Sequence, residues 1–87
     1  MKYKLNVVPY NDHFAFAYEQ SGIVVIVEAL KFFGIDFNEV ENKLIEYGMF
    51  MMGTTFKTLY FKTREDAQKA LEYLDSYLLI RKLQDGI

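Results

Sequence analysis

The sequence predicts a small α+β domain over residues 1–87, in which helices pack on one face of a small antiparallel sheet. Three observations predict this class. Hydrophobic residues make up 52 % of the chain and charged residues 25 %, a balance typical of globular proteins. Segments with strand-like alternation are interspersed with longer segments of helical spacing. The chain has no cysteine, which excludes a disulfide scaffold and a thiolate zinc site.

Two strands are predicted at the start of the chain. Residues 2–8 form the first strand, and we expect it to end at Pro9 and at the turn-prone pair Asn11 and Asp12. Residues 13–19 alternate between two sides and form the second strand. The side chains on one of its sides are Phe14, Phe16 and Tyr18. The short polar gap between the two segments predicts a hairpin.

Residues 23–33 are predicted as a helix that Gly34 closes. One side of this helix has Ile23, Ile26, Val27, Leu30 and Phe33, and the other side has Val24, Val25 and Phe32. The β-branched run at residues 23–27 is also typical of a strand, which remains an alternative for the first half of the segment.

A second helix is predicted after Asp36, which has capping-box spacing with Glu39. The apolar residues that follow keep helical spacing towards Gly48, although a strand over residues 37–48 remains open.

Residues 49–52 and 55–62 are predicted as strands on either side of a turn at Gly53. The last helix begins at residues 63–66. Its inner stripe consists of Ala67, Ala70, Leu71, Leu74 and Leu78. Residues 78–84 either continue this helix or form an edge strand.

The chain has one histidine and no recognisable catalytic or metal-binding pattern. His13 lacks the nucleophile and acid that a catalytic triad needs, so we expect it at the surface of the hairpin turn. With a single histidine, the chain has no His-x-x-x-His pair of the kind that holds a metal ion. Residues 48–53 share two glycines with a phosphate-binding loop, but Thr54 stands where that loop has its lysine. We therefore predict a protein that is not an enzyme and that uses no metal or cofactor.

The charge balance limits the classes of partner. The formal net charge is -2 and the isoelectric point is near 5.3, which disfavours nucleic acid. Residues 56–61 loosely resemble RNA-recognition motifs, but Thr58 stands where a stacking aromatic belongs. The uncharged run at residues 47–56 is about half the length that spans a bilayer. With no targeting segment visible, we expect no membrane partner and a cytoplasmic location.

Aromatic residues make up 17 % of the chain, with 7 Tyr and 8 Phe, which is more than a core of this size readily encloses. A sheet covered on one face leaves one alternate set of side chains uncovered. We therefore expect some rings to contact a protein partner or a second copy of the chain in a homodimer. The predicted interface residues are Phe14, Phe16, Tyr18, Val24, Val25, Phe32, Phe56 and Tyr60.

Two segments resemble ACT-type regulatory domains, which have a ferredoxin-like βαββαβ fold. Residues 20–36, QSGIVVIVEALKFFGID, resemble the first helix with its flanking turns, and residues 61–71, FKTREDAQKAL, resemble the passage from a strand into the second helix. The resemblance implies a ferredoxin-like fold or a close variant, and it implies that Gly22 contacts a small ligand. Ser21 departs from the family, which has proline there, and the predicted helix at residues 38–43 departs from its second strand.

Two functions from different classes are therefore predicted. The first is a non-catalytic interaction protein that binds a macromolecular partner or itself, such as a small accessory or inhibitor protein of a phage or virus. The second is an ACT-like regulatory domain that senses a small ligand.

Overall fold

The computed structural model describes residues 4–85. In chain order its elements are β1 (Leu5–Tyr10), β2 (His13–Tyr18), a 3-10 helix (Val27–Phe33), α1 (Phe37–Glu46), β3 (Phe50–Met52), β4 (Thr58–Tyr60) and α2 (Arg64–Asp85). The strands form two antiparallel pairs, β1 with β2 and β3 with β4. The predicted α+β class is confirmed, and the architecture is compatible with a variant of the ferredoxin-like fold.

The first two strands form the predicted hairpin. Asn11 and Asp12 make its turn with φ angles of 49° and 63°, the left-handed values that a tight two-residue hairpin turn requires. The prediction that Pro9 ends the first strand is wrong, because Pro9 lies within β1 opposite Phe14. A proline is tolerated in an edge strand, where its missing N–H removes no hydrogen bond of the ladder. The predicted strand residues before Lys4 lie outside the described residues.

The segment predicted as one helix over residues 23–33 divides in two. Residues 23–26 are extended beside β2, where the N–H of Val25 donates to the carbonyl of Phe16 at 2.9 Å. Helix begins only at Val27 and is of the 3-10 type. The helix prediction is therefore wrong for its first part, because β-branched residues favour extended backbone beside a strand. Gly34 ends the helix as predicted, with a φ of 81°.

The middle of the chain forms α1 and a second hairpin. The Asp36 side chain caps α1 by accepting a hydrogen bond from the N–H of Asn38 at 3.0 Å, so residues 37–46 are helical. The predicted strand at residues 55–62 is shortened to Thr58–Tyr60, with Phe61 paired separately to β2. Residues 53–57 form the connection instead, because Gly53 turns the chain with a φ of +133°.

The last helix, α2, packs its predicted stripe into the core. The Thr63 hydroxyl accepts a hydrogen bond from the N–H of Asp66 at 3.1 Å and caps the first turn. The helix then continues to Asp85, which settles the alternatives for residues 78–84 in favour of helix. The most deeply buried residues of its stripe are Ala67, Ala70, Leu71 and Leu74.

The two hairpins join edge to edge. Phe14 pairs with Phe61 and Ala17 pairs with Val24, so the chain at the end of β4 and the extended residues 23–26 both lie beside β2. Ile26 also pairs with Thr58 of β4. The helices cover one face of these strands. The core between them consists of Phe16, Val25, Leu30, Ile35, Val40, Leu44, Met49, Leu59, Phe61, Ala67, Ala70, Leu71 and Leu74.

Candidate interaction face

The strands have a second face that is turned away from the helices. Side chains alternate along each strand, and the register places one alternate set of the two hairpins on a common side. We call this set the open face: Asn6, Val8, Tyr10, His13, Ala15, Ala17, Val24, Ile26, Phe50, Met52, Thr58 and Tyr60. None of these residues belongs to the core cluster between strands and helices, although Ala15, Ala17 and Tyr60 are themselves buried, at 0 %, 0 % and 4 % exposed. The core cluster lies between the helices and the opposite face of the strands.

Four aromatic rings cluster on the open face around Tyr60. The Tyr60 ring stacks on Tyr10 with a centroid distance of 6.0 Å and an interplanar angle of 9°. Phe50 stacks on Tyr60 at 5.8 Å, and the His13 ring meets the Phe50 ring edge-on at 5.1 Å. The side-chain amide of Asn11 donates to the Tyr60 hydroxyl at 3.2 Å. Strand register produces the cluster, because Tyr10 lies opposite His13 and Phe50 lies opposite Tyr60.

The open face differs in chemistry from the outer surface of α2. None of its side chains is Asp, Glu, Lys or Arg, whereas α2 begins with charged residues such as Glu65 and Lys69, which form an ion pair at 3.3 Å. Arg64 lies against the other side of the strands, with its guanidinium 5.0 Å from the centroid of the Phe14 ring. The arrangement is suited to binding an apolar or aromatic surface, and it offers no cation to a phosphate.

The predicted interface residues lie in three different places. Tyr60 and Val24 are on the open face. Phe14, Phe16, Tyr18 and Val25 point to the helices, and Phe16 and Val25 are each only 1 % exposed. Both Phe56, in the connection between β3 and β4, and Phe32, on the 3-10 helix, are exposed.

The sequence prediction missed Tyr10, Ile26, Phe50 and Met52 as members of the open face. A two-residue hairpin turn places the residues on its two sides opposite each other, so the turn at Asn11 and Asp12 was the signal that pairs Tyr10 with His13. No local signal paired Phe50 with Tyr10, because these residues meet only through tertiary structure.

A separate apolar hollow lies beside the predicted ligand residue Gly22. It has a volume of about 500 Å³ and is lined by Tyr18, Ser21, Ile23, Phe32 and Phe33. The Ser21 hydroxyl accepts a hydrogen bond from the N–H of Ile23 at 3.3 Å, and Gly22 between them has a φ of 72°. The Phe32 ring is 71 % exposed at this hollow. Such a volume suits a small molecule.

A more polar hollow of about 560 Å³ lies where the 3-10 helix, α1 and α2 approach each other. Its polar side chains include Glu28, Lys31 and Arg81. Arg81 donates to the carboxylate of Glu39 at 2.8 Å, and the Tyr77 hydroxyl donates to the same oxygen at 3.0 Å. These contacts connect α2 to α1, so Arg81 stabilises the packing of the two helices.

Among residues 4–85, no group of His, Asp and Glu side chains is arranged to hold a metal ion. No helix in the same range combines the length and apolar character that crossing a membrane requires. Comparison of the chain with protein-family models, curated proteins and solved structures found no match.

Proposed function

We propose that this protein is a non-catalytic interaction module that binds a protein partner through the open face. The observation that supports the proposal is a strand face opposite the helices that is rich in aromatic and aliphatic side chains, has no charged residue, and exposes Tyr10 and Met52 at its edges. Exposed apolar side chains grouped in this way are typical of association surfaces.

A partner gains most of its contact area from the exposed residues at the edge of the open face. Tyr60 is only 4 % exposed and supports its neighbours, whereas Tyr10 is 41 % exposed and Met52 is 45 % exposed. Tyrosine offers large contact area at low conformational cost, and methionine adapts its shape to the surface it meets. The partner surface that fits is apolar, because a charged group pressed against the open face would lose its water without gaining a counterion.

A matched pair of substitutions tests the proposal. Met52→Glu places a charge on the open face, and Ile45→Glu places one on the outer side of α1, where Ile45 is similarly exposed at 51 %. Photo-crosslinking from positions 10 and 52 in native extract identifies the partner. We expect Met52→Glu to abolish capture of that same protein, while Ile45→Glu retains it. Equal capture by both variants, with unchanged far-UV circular dichroism, would contradict the proposal.

The hollow beside Gly22 favours a second candidate function, an ACT-like domain that senses a small ligand. Its apolar lining and the hydroxyls of Ser21 and Tyr18 suit a molecule with one apolar and one polar end. A thermal-shift screen with free amino acids tests this function. A rise in the melting temperature that Phe32→Ala removes would support it, and an unchanged melting temperature across the panel would reject it.

A further inference from the structure

The outer side of α2 has an apolar patch in its last turns. Leu79, Ile80 and Leu83 are 59 %, 55 % and 63 % exposed, and we call them the α2 patch. At about 100° per residue, the centre of the patch lies roughly 170° around the helix axis from the buried stripe that contains Leu74. The last turns of α2 are therefore apolar on two opposite sides, although the chain's own core covers only one of them.

Two opposite charges flank the α2 patch on the same side. Asp75 and Lys82 are seven residues apart, so they lie two turns apart and within roughly 20° of each other around the axis. Both residues are exposed. If two copies of this helix pack side by side and antiparallel, the flank of one copy meets the same flank of the other in reverse order. Asp75 of each copy then lies near Lys82 of the other.

We propose that α2 pairs antiparallel with α2 of a second copy of this chain, patch against patch, with two Asp75–Lys82 ion pairs across the interface. The charge order fits a second copy of this helix in the antiparallel direction. Only in an antiparallel pair does the same flank of each copy meet, so that Asp75 of each copy lies near Lys82 of the other and both contacts are attractive. The two-fold symmetry also satisfies the rule that each contact in such a dimer occurs twice.

The surroundings of Asp75 and Leu79 are consistent with a second helix at this position. Although the Asp75 side chain is exposed, partial desolvation of its carboxyl raises its pKa and Lys4 opposes this rise, so a further cation from a second copy would stabilise the carboxylate. One turn before Leu79, a hollow of about 400 Å³ is lined by Tyr47, Lys69, Glu72, Tyr73 and Ser76. In the antiparallel arrangement the Leu83 side chain of the second copy lies near Ser76, at the edge of this hollow, whose lining includes the charged side chains of Lys69 and Glu72.

The expected dimer is weak and reversible. The segment from Asp75 to Leu83 spans only about 12 Å of helix axis, so the contact area lies at the low end of specific interfaces. The net charge of -2 on each copy adds little repulsion. Association should therefore depend on protein concentration and fall when salt screens the two ion pairs.

The first test measures self-association by sedimentation over a range of protein concentrations. We expect the unmodified chain to dimerise and Leu83→Glu to remain monomeric, with Ile45→Glu on α1 as a control that still dimerises. Far-UV circular dichroism checks that each variant is folded. A monomeric unmodified chain at high micromolar concentration would overturn the proposal.

The second test exchanges the flanking charges. Lys82→Asp should weaken the dimer at least about fivefold, because each ion pair becomes a repulsion, and Asp75→Lys should do the same. The double variant Asp75→Lys with Lys82→Asp restores both pairs and should recover affinity to within about twofold. Additive weakening in the double variant, or no effect of the single changes, would overturn the antiparallel pairing.

The α2 pairing does not rest on the proposed function. Variants on the open face distinguish the failure of one from the failure of the other. If Met52→Glu removes the dimer and Leu83→Glu does not, self-association belongs to the open face and the α2 pairing is wrong. If the chain is monomeric but crosslinks to a partner through position 52, the α2 pairing fails while the proposed function stands.

Discussion

The backbones of Phe14 and Phe61 exchange two hydrogen bonds: the N–H of Phe14 donates to the carbonyl of Phe61 at 2.9 Å, and the N–H of Phe61 donates to the carbonyl of Phe14 at 2.8 Å. This pair joins two hairpins that are separated in the chain by a 3-10 helix and by α1. It also aligns their faces, so that Tyr10 of the first hairpin stacks on Tyr60 of the second. The open face exists because of this junction.

Truncation of the α2 stripe should destabilise the fold. Leu71 is buried in the core, so Leu71→Ala should lower the free energy of unfolding by about 2–5 kcal/mol through lost burial and a residual cavity. The matched control is Leu79→Ala on the exposed side of the same helix, measured at a concentration that keeps the chain monomeric, for which we expect a loss below about 0.5 kcal/mol. Urea unfolding measures both values, and similar losses for the two variants would contradict the assigned orientation of α2.

Gly53 should be harder to replace than Gly22. A Cβ at this position would overlap the carbonyl oxygen of Phe56, and the φ of +133° disfavours any L side chain. Gly53→Ala should therefore destabilise the protein by more than about 1 kcal/mol. Gly22→Ala is the comparison, because its φ of 72° is also positive but its Cβ would meet nothing within 4 Å. An equal loss for the two variants in urea unfolding would show that the overlap relaxes without cost.

The helix cap at Asp36 should be measurable. Asp36→Ala removes the acceptor of the N–H of Asn38, and we expect a loss of about 0.5–2 kcal/mol in the free energy of unfolding. Asp36→Asn keeps a side-chain oxygen at the same position and should retain most of the stability. If both substitutions were neutral, the cap would contribute nothing to the start of α1.

Asp75 should make stability depend on pH in a defined direction. Its pKa is raised mainly by burial, so the folded state binds the proton more tightly than the unfolded state does. The protonated carboxyl therefore favours folding below its ordinary pKa, and this contribution is lost as the pH rises through the raised pKa. Asp75→Asn should be more stable than the unmodified chain at neutral pH, with the difference shrinking as the pH falls towards the ordinary value near 3.8.

Chemical denaturation at several pH values measures this dependence, at a concentration low enough to keep the chain monomeric. A variant that loses stability at neutral pH would indicate that attraction to Lys4 outweighs the burial of Asp75.

Several local features followed from the sequence alone. Asn11 and Asp12 predicted the first turn, because few residue types tolerate left-handed backbone. Gly34 and Asp36 marked the end of one helix and the start of the next through their own conformational and hydrogen-bonding preferences. The spacing of Leu71 and Leu74 predicted the buried stripe of α2, because helical geometry alone places such residues on one side.

Tertiary structure decided which side of each element is covered. Alternation in β2 separates Phe16 from Ala15 onto opposite faces, but it does not say which face receives the helices, and the predicted interface therefore included Phe16 and Val25 from the core. The same limit applied to residues 23–26, whose β-branched side chains suited both helix and strand until β2 supplied hydrogen-bond partners. Local periodicity shows which residues lie on the same side of a helix or strand. Which side is buried depends on contacts between segments that are distant in the chain.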